Sequence, residues 1–352
     1  MTKQLVKGNE AIVYGALLGG ATHFFGYPIT PASEIAHAAA LYFPKTGREF
    51  LQAESEVAAI NMIYGAAGAG GRAMTASSGP GVSLMAEGIS YLAGAELPCV
   101  IVDIQRAGPG LGNIWPEQGD YNTVVKSGAH GNYQNVVFAP ASAQEMCDFT
   151  YQAFEIADKY RVVVFILSDA YIGQMMEPIE IPNTPREGDR KDWALYADAE
   201  SRKNLITSIF MNQQIQSDHN KKLQNKYRLI EHELLAYEEE ETDEADVIFV
   251  AYGICARICY TAMEELRTLG IKIGMLRPQM LFPFPSRPIQ QLAQKVKKCI
   301  VVELSDGQMA VDVKLAVNGA IPVLEYNWMG GVVPTVKEIV ERVQQDMKGG
   351  AK

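Results

Sequence analysis

Basic surplus is the first thing this chain lacks. Its 41 acidic against 31 basic residues leave a formal net charge of −10. No stretch of it could neutralise a phosphate backbone, which excludes nucleic acid as a partner. Uninterrupted apolar runs of bilayer length are missing too, so no membrane span is expected. The first residues, Met-Thr-Lys-Gln-Leu-Val-Lys-Gly-Asn-Glu, carry no apolar signal core, and a cytoplasmic protein is the expectation. Cysteine is sparse and scattered, at Cys99, Cys147, Cys255, Cys259 and Cys299, with no iron–sulfur spacing. Only Cys255 and Cys259 stand close, at i,i+4 in an apolar run, where core thiols are expected rather than metal ligands. No Walker loop, serine elbow, zinc ligand set or strand-coupled Gly-x-Gly-x-x-Gly with a downstream acid is present.

What is present is an ordinary globular balance, 48% apolar and 20% charged over 352 residues, enough for two α/β domains. The first half reads as strand–loop–helix units. A helix is expected over Asn9–Gly19, a strand over Gly20–Phe25, and a helix over Ala32–Phe43. A strand at Arg48–Gln52 leads to a small-residue helix at Ser55–Gly68. Further strands fall at Ala73–Ser77, Pro98–Ile104 and Val162–Leu167. Strands alternating with helices, with glycine-rich loops at strand ends, imply a parallel sheet covered on both faces. After Pro178 the chain turns polar. Leu223, Tyr227, Ile230, Leu234 and Tyr237 form an amphipathic stripe. Glu238–Asp246, with seven acidic residues, reads as a solvated linker. A second α/β unit starts at Asp246 and carries no obvious catalytic constellation. The expected organisation is residues 1–180, a charged helical linker at 181–245, and a smaller domain at 246–346.

Four loops of the first domain fall at carboxyl ends of strands, where open α/β sheets bind ligands. They are Tyr27–Ser33, Glu54-Ser55-Glu56, Ser78–Gly81, and Arg106–Gly110 with its continuation to Asp120. In the first loop two prolines bracket Ile29-Thr30, fixing Thr30 as extended with Pro31 suited to the first helical position. Its hydroxyl either caps the helix or faces a ligand. Glu56 in a first helical turn is equally a dipole partner, Arg106 equally a surface ion pair, and Ser-Gly-Pro-Gly equally a plain turn.

Taken in order, several motifs resemble one family along essentially the whole chain. They are Tyr-Pro-Ile-Thr-Pro (27–31), Gln-Ala-Glu-Ser-Glu-Val-Ala-Ala (52–59), Gly-Ala-Ala-Gly-Ala-Gly (65–70), Ser-Ser-Gly-Pro-Gly (77–81), Glu-Leu-Pro-Cys-Val-Ile-Val-Asp (96–103), Gln-Arg-Ala-Gly-Pro-Gly (105–110) and Gly-Ala-His-Gly-Asn (128–132). The sequence resembles α subunits of 2-oxoacid:ferredoxin oxidoreductases, within them the 2-oxoisovalerate branch. The resemblance implies an α/β chain with a parallel-sheet, pyrimidine-binding thiamine diphosphate domain, followed by a smaller transketolase-C-terminal-like domain. It implies that the coenzyme is shared with a β subunit that holds the diphosphate and Mg²⁺. No matching Gly-Asp-Gly…Asn motif occurs here, since Ser305-Asp306-Gly307 lacks the leading glycine and the downstream asparagine. Iron–sulfur clusters are then expected on partner subunits, with γ and δ chains, ferredoxin and coenzyme A completing the reaction. No metal ligand is assigned to this chain.

By the same resemblance Glu56 sits against a ring nitrogen of the aminopyrimidine and favours its imino tautomer, which takes the thiazolium C2 proton. Arg106 holds the substrate carboxylate, and Thr30 hydrogen-bonds near the substrate. Tyr27, Pro28, Ile29, Ser78 and Gly79 surround the cofactor, and Gly110, Leu111 and His130 border the substrate. His130 equally suits a plain backbone contact. Where 2-oxoglutarate-type relatives read Gly-Pro-Ser-Thr-Gly, this chain reads Gly108-Pro109-Gly110-Leu111-Gly112. That exchange removes two hydroxyls and adds an isobutyl group, which suits a branched aliphatic 2-oxoacid. Rival readings are a 2-oxoglutarate enzyme, a thiamine enzyme half without redox chemistry, and a non-catalytic assembly subunit.

Overall fold

The computed structural model describes residues 3–181 and 184–349. Its strands in chain order are β1 (Lys3–Lys7), β2 (His23–Gly26), β3 (Glu49–Gln52), β4 (Ala73–Ser77), β5 (Cys99–Gln105), β6 (Val136–Phe138) and β7 (Val163–Asp169). They continue as β8 (Met176–Glu180), β9 (Tyr237–Glu240), β10 (Val247–Val250), β11 (Ile273–Pro278), β12 (Met280–Phe282), β13 (Lys298–Glu303) and β14 (Val323–Asn327). β5 and β7 are buried at every position, as strands covered by helices on both faces must be.

The larger sheet runs β12-β6-β7-β5-β4-β2-β3 and is parallel except at the β12–β6 edge. Chain order steps outward from β2 to β3, then returns across β2 to β4. The crevice at that reversal, outside the carboxyl ends of β2 and β4, is where such sheets take ligands. The smaller sheet, β14-β13-β10-β11-β9, is parallel apart from β9.

Two expectations change. The acidic run is not a free linker: Tyr237–Glu240 forms an antiparallel edge strand on β11, and Glu238 takes a 2.9 Å hydrogen bond from Arg277 Nε. Arg277 is buried and also forks onto Glu145 of the first domain, so the carboxylates answer a buried cation. The stripe on the helix Gln213–Glu233 buries Leu223, Tyr227 and Ile230, but Tyr237 lies beyond the helix in β9. All five cysteines are buried and free, Cys255 and Cys259 on one helix as core thiols.

The domains are stitched by buried polar groups. Gln118, fully buried, donates from its backbone N–H to Leu304 O (2.8 Å) and from Nε2 to Tyr252 O (3.0 Å). Its Oε1 accepts from Leu304 N (3.0 Å). Asp169 accepts from Tyr171 N and Ile172 N of its own domain and from Ile254 N of the second.

Candidate active site

Thr30 and Arg106 meet at the crevice, while Glu56 is buried beneath a neighbouring helix start. The helix after β2 starts at Ser33, with Ala32 at the N-cap position and no side-chain cap, so the Thr30 hydroxyl does not cap it. Pro31 stays in the loop, where its carbonyl accepts from Asn9 Nδ2 (2.8 Å). Arg106 joins two loops: Nη1 donates to Thr30 O (2.8 Å) and Nη2 to Leu111 O (3.1 Å). Its Nε is buried without a partner among the described residues, so three of its five N–H donors remain unspent there. Both the Thr30–Pro31 and Gly108–Pro109 peptides are cis.

Glu56 opens the helix Glu56–Gly68. Ser55 caps that helix by accepting from Ala58 N (3.1 Å), which frees Glu56 from capping duty. The carboxyl side chain is 94% buried, at 6% exposure. Its neighbour is Gly81, in the first turn of the helix Gly79–Gly94, where a methyl would overlap Ser77 Oγ and stand 2.6 Å from Glu56 Oε1. The Ser77 and Ser78 hydroxyls are buried and have no partner among the described residues. Thus an acid and two unsatisfied hydroxyls meet beneath a helix start made slim by glycine.

Two cavities flank Arg106. One of about 530 Å³ is bounded by Thr30, Glu34, Ile114, Trp115 and Tyr171. The other, about 690 Å³, lies between the domains among Gly79, Arg106, Gly110, Asp120, Asp306 and Gly330. Glu56 lines neither. Tyr27, Leu111, Ile114 and Trp115 are exposed at 40%, 81%, 56% and 64%, so an apolar rim surrounds the crevice. Pro28 and Ile29 are half-buried beside it. Gly110 is left-handed at φ +71° with open space around it.

His130 is not brought to this place. It is exposed and lines a separate cavity with Ser90, Tyr133 and His219, and its carbonyl accepts from Ser90 Oγ (2.5 Å).

Residues to which no role was assigned also stand here. Asp103 at the end of β5 and Asp120 are buried side by side below Gly79. Burial and the Asp120 charge push Asp103 well above the carboxylate range, while burial and the Glu117 charge push Asp120 up to about 6. Each of two carboxyls so placed disfavours ionisation of the other. Asp103 lies inside the otherwise largely apolar β5 and Asp120 follows a Gln-Gly step, so only the folded sheet pairs them. The sequence signal that could have located them is the shared rule that strand carboxyl ends face the crevice.

Comparison with known proteins identifies the lineage. Residues 14–243 match the family model described as pyruvate flavodoxin/ferredoxin oxidoreductase, thiamine diphosphate-binding, and residues 245–339 match pyruvate:ferredoxin oxidoreductase core domain II. The chain belongs to the 2-oxoacid:ferredoxin oxidoreductase family. Its first domain is therefore a thiamine diphosphate-binding domain. Ketoisovalerate oxidoreductase subunit VorB of Methanothermobacter thermautotrophicus is 54% identical over 98% of both chains. The 2-oxoglutarate synthase subunit KorA of Methanocaldococcus jannaschii is 35% identical, covering 97% of this chain and all of that one. The solved 2-oxoglutarate:ferredoxin oxidoreductase of Magnetococcus marinus, with 2-oxoglutarate, coenzyme A and succinyl-CoA bound, superposes at TM-score 0.89 with 29% identity. It covers 97% of this chain, which spans 65% of that one. An inactive split-gene transketolase β4 tetramer, TM-score 0.60 at 16% identity, shares the fold alone. No described helix is long and apolar enough to cross a membrane.

Proposed function

We propose that this chain is the α subunit of a 2-oxoacid:ferredoxin oxidoreductase that decarboxylates 2-oxoisovalerate and related branched 2-oxoacids to acyl-CoA with reduction of ferredoxin. The observation that carries the reading is the buried Glu56 carboxylate packed under Gly81, at the switch point of a thiamine diphosphate-binding domain. The residues fit the pyrimidine end of that coenzyme. An acid is available for a ring nitrogen, the unpartnered Ser77 and Ser78 hydroxyls for polar edges, and Gly79 for close backbone approach.

When bound, thiamine diphosphate supplies the electron sink that decarboxylation of a 2-oxoacid requires. Glu56 would hold a ring nitrogen of the pyrimidine by a hydrogen bond, and its burial would keep water from competing for that bond. Tyr27, Pro28 and Ile29 wall the base end. Arg106 keeps Thr30 and Leu111 in register through their carbonyls and offers its remaining donors to the substrate carboxylate. Thr30 places its hydroxyl beside that carboxylate, with Gly110 and Leu111 closing the side-chain end. His130 contacts substrate only if an assembled partner redirects its loop.

The apolar rim at Tyr27, Leu111, Ile114 and Trp115 supports completion of the site by a β subunit carrying the diphosphate half and Mg²⁺. Iron–sulfur clusters then reside on partner chains, γ and δ subunits among them, in a cytoplasmic complex. The 54% identity to ketoisovalerate subunits, against 35% to a 2-oxoglutarate subunit, favours a branched substrate. The Gly110-Leu111 pair agrees with it.

The test is Glu56→Gln in the complex purified with its native partners. Assembly stays intact while turnover of 2-oxoisovalerate falls about 10²- to 10⁴-fold. Unchanged turnover refutes the catalytic reading. Faster reduction of ferredoxin with 2-oxoglutarate than with 2-oxoisovalerate refutes the substrate.

A further inference from the structure

The loop that follows Arg106 is fastened at both ends of a single buried carboxylate. Residues 107–115 close on themselves: Ala107 N donates to Trp115 O (2.9 Å), Asn113 N donates to Ala107 O (3.0 Å), and Arg106 bridges to Pro116. Gly112, at φ +55°, leaves no room for a side chain against Ala107 O. Beyond this knot stands Glu117, 6% exposed. Its Oε2 accepts from Gly108 N (2.7 Å) and its Oε1 from Gly330 N (3.1 Å). Gly108 belongs to the first domain's arginine loop, and Gly330 to the turn after β14 in the second. Asn113 Nδ2 adds a bond to Gly330 O (3.1 Å), and a methyl at Gly331 would overlap Trp115 Cβ.

A buried carboxylate is costly unless charge-assisted bonds satisfy it. Here each of its two oxygens takes a backbone donor from a different domain. The bonds are short enough to fix Gly108, two residues from Arg106, relative to Gly330. The Met329–Gly331 turn also walls the interdomain cavity that Arg106 and Gly110 line.

We infer that Glu117 is a positioning residue: it locks the Arg106–Leu111 loop to the Met329–Gly331 turn, so that the second domain sets how tightly the 2-oxoacid is held. The inference rests on the reading of Arg106 as the group that binds the substrate carboxylate. The second domain thereby acts on substrate affinity through the Arg106 loop.

The experiment compares Glu117→Ala, Glu117→Gln and Asn113→Ala with Arg106→Lys, each in the complex purified with its native partners. It measures steady-state kinetics with 2-oxoisovalerate and hydrogen exchange in peptides spanning 107–116 and 328–332. Glu117→Ala is expected to speed exchange in both peptides and raise KM about 3- to 10-fold with kcat within about twofold. Glu117→Gln keeps one acceptor oxygen and falls between that variant and the wild type. Asn113 is exposed, so its variant loosens the same turn without emptying a buried position, and it shows the same shifts at smaller size. Unchanged exchange in both Glu117→Ala and Asn113→Ala overturns the proposal. So does faster exchange with unchanged KM when Arg106→Lys raises KM, and so does a loss confined to kcat. If Arg106→Lys also leaves KM unchanged, the reading of Arg106 has failed, and the proposal with it.

Discussion

Gly81→Ala probes the Glu56 arrangement with one methyl group, and Gly65→Ala is its control. Both glycines lie in helices, where alanine is favoured by about 0.5–1 kcal/mol. At Gly65 the methyl meets nothing within 4 Å, so that variant gains stability by the propensity difference. At Gly81 it overlaps Ser77 Oγ and reaches 2.6 Å from Glu56 Oε1 and 3.0 Å from Glu56 Cγ. Ser77 ends a fully buried strand, so the crowding falls on its hydroxyl and on the Glu56 carboxyl together, and both must shift. Overpacking of this kind costs about 1–3 kcal/mol, which exceeds the helix gain and leaves a net loss of up to roughly 2.5 kcal/mol. The chemical consequence is larger, because moving a catalytic group by about 1 Å costs on the order of 100-fold in rate. Turnover of the complex with an artificial electron acceptor, read beside thermal melting of the same sample, separates the two effects. Gly81→Ala should melt lower and lose about 100-fold in kcat, while Gly65→Ala melts higher at full kcat. A Gly81→Ala enzyme with wild-type kcat would refute the placement of Glu56 at the chemistry, as would equal losses in both variants.

Two pH responses follow from buried acids away from the crevice. Burial pushes Asp169 up to about 6 despite its three backbone donors. An acid whose pKa is raised by folding stabilises most at low pH and loses that contribution as pH climbs. Urea unfolding should therefore show the wild type losing about 2 kcal/mol relative to Asp169→Asn between pH 4 and 7; parallel curves would contradict this. Glu96 is the opposite case: burial alone would raise it, but the Lys226 and Lys222 ammoniums more than offset that and hold it below the usual carboxylate range. Glu96→Gln strands the largely buried Lys226 and should cost about 3 kcal/mol at pH 7. It should also speed proteolysis within 204–233, and the difference should vanish as pH falls through the lowered pKa.

What was legible in the chain is what local chemistry dictates. β4 falls at Ala73–Ser77 as read, and most first-domain elements lie within two or three residues of expectation, because β-branched runs and glycine-rich loops mark strands and their ends. The helix Ala143–Tyr160 was not assigned, although Ser142 and Glu145 lie at capping-box spacing. Ser142 Oγ accepts from Glu145 N, and Glu145 Oε2 from Ala141 N. β1 is lysine-flanked and pairs only with β8, so no alternation announced it. For the candidate site, ordered motifs singled out Glu56, Thr30 and Arg106. Asp103, Asp120 and Glu117 were not, since their meaning lies in partners far along the chain: Glu117 acquires its role from Gly330, 213 residues away.

The same distance argument changes the standing of the second domain. β12 leaves the smaller domain's sequence to pair antiparallel with β6 at the edge of the larger sheet. Immediately before it, Arg277 in β11 binds Glu145 of the first domain and Glu238 of β9 through one guanidinium. Gln118 and Glu117, adjacent in sequence, point their polar atoms to opposite tasks, one closing the domain junction at Leu304 and Tyr252, the other holding the Arg106 loop. A cut at the end of the first domain's last parallel strand would therefore remove an edge strand, a buried cation's seat and the far anchor of the Arg106 loop at once. A domain that contributes so much buried polar bonding to its neighbour's loops is physically part of the crevice those loops form.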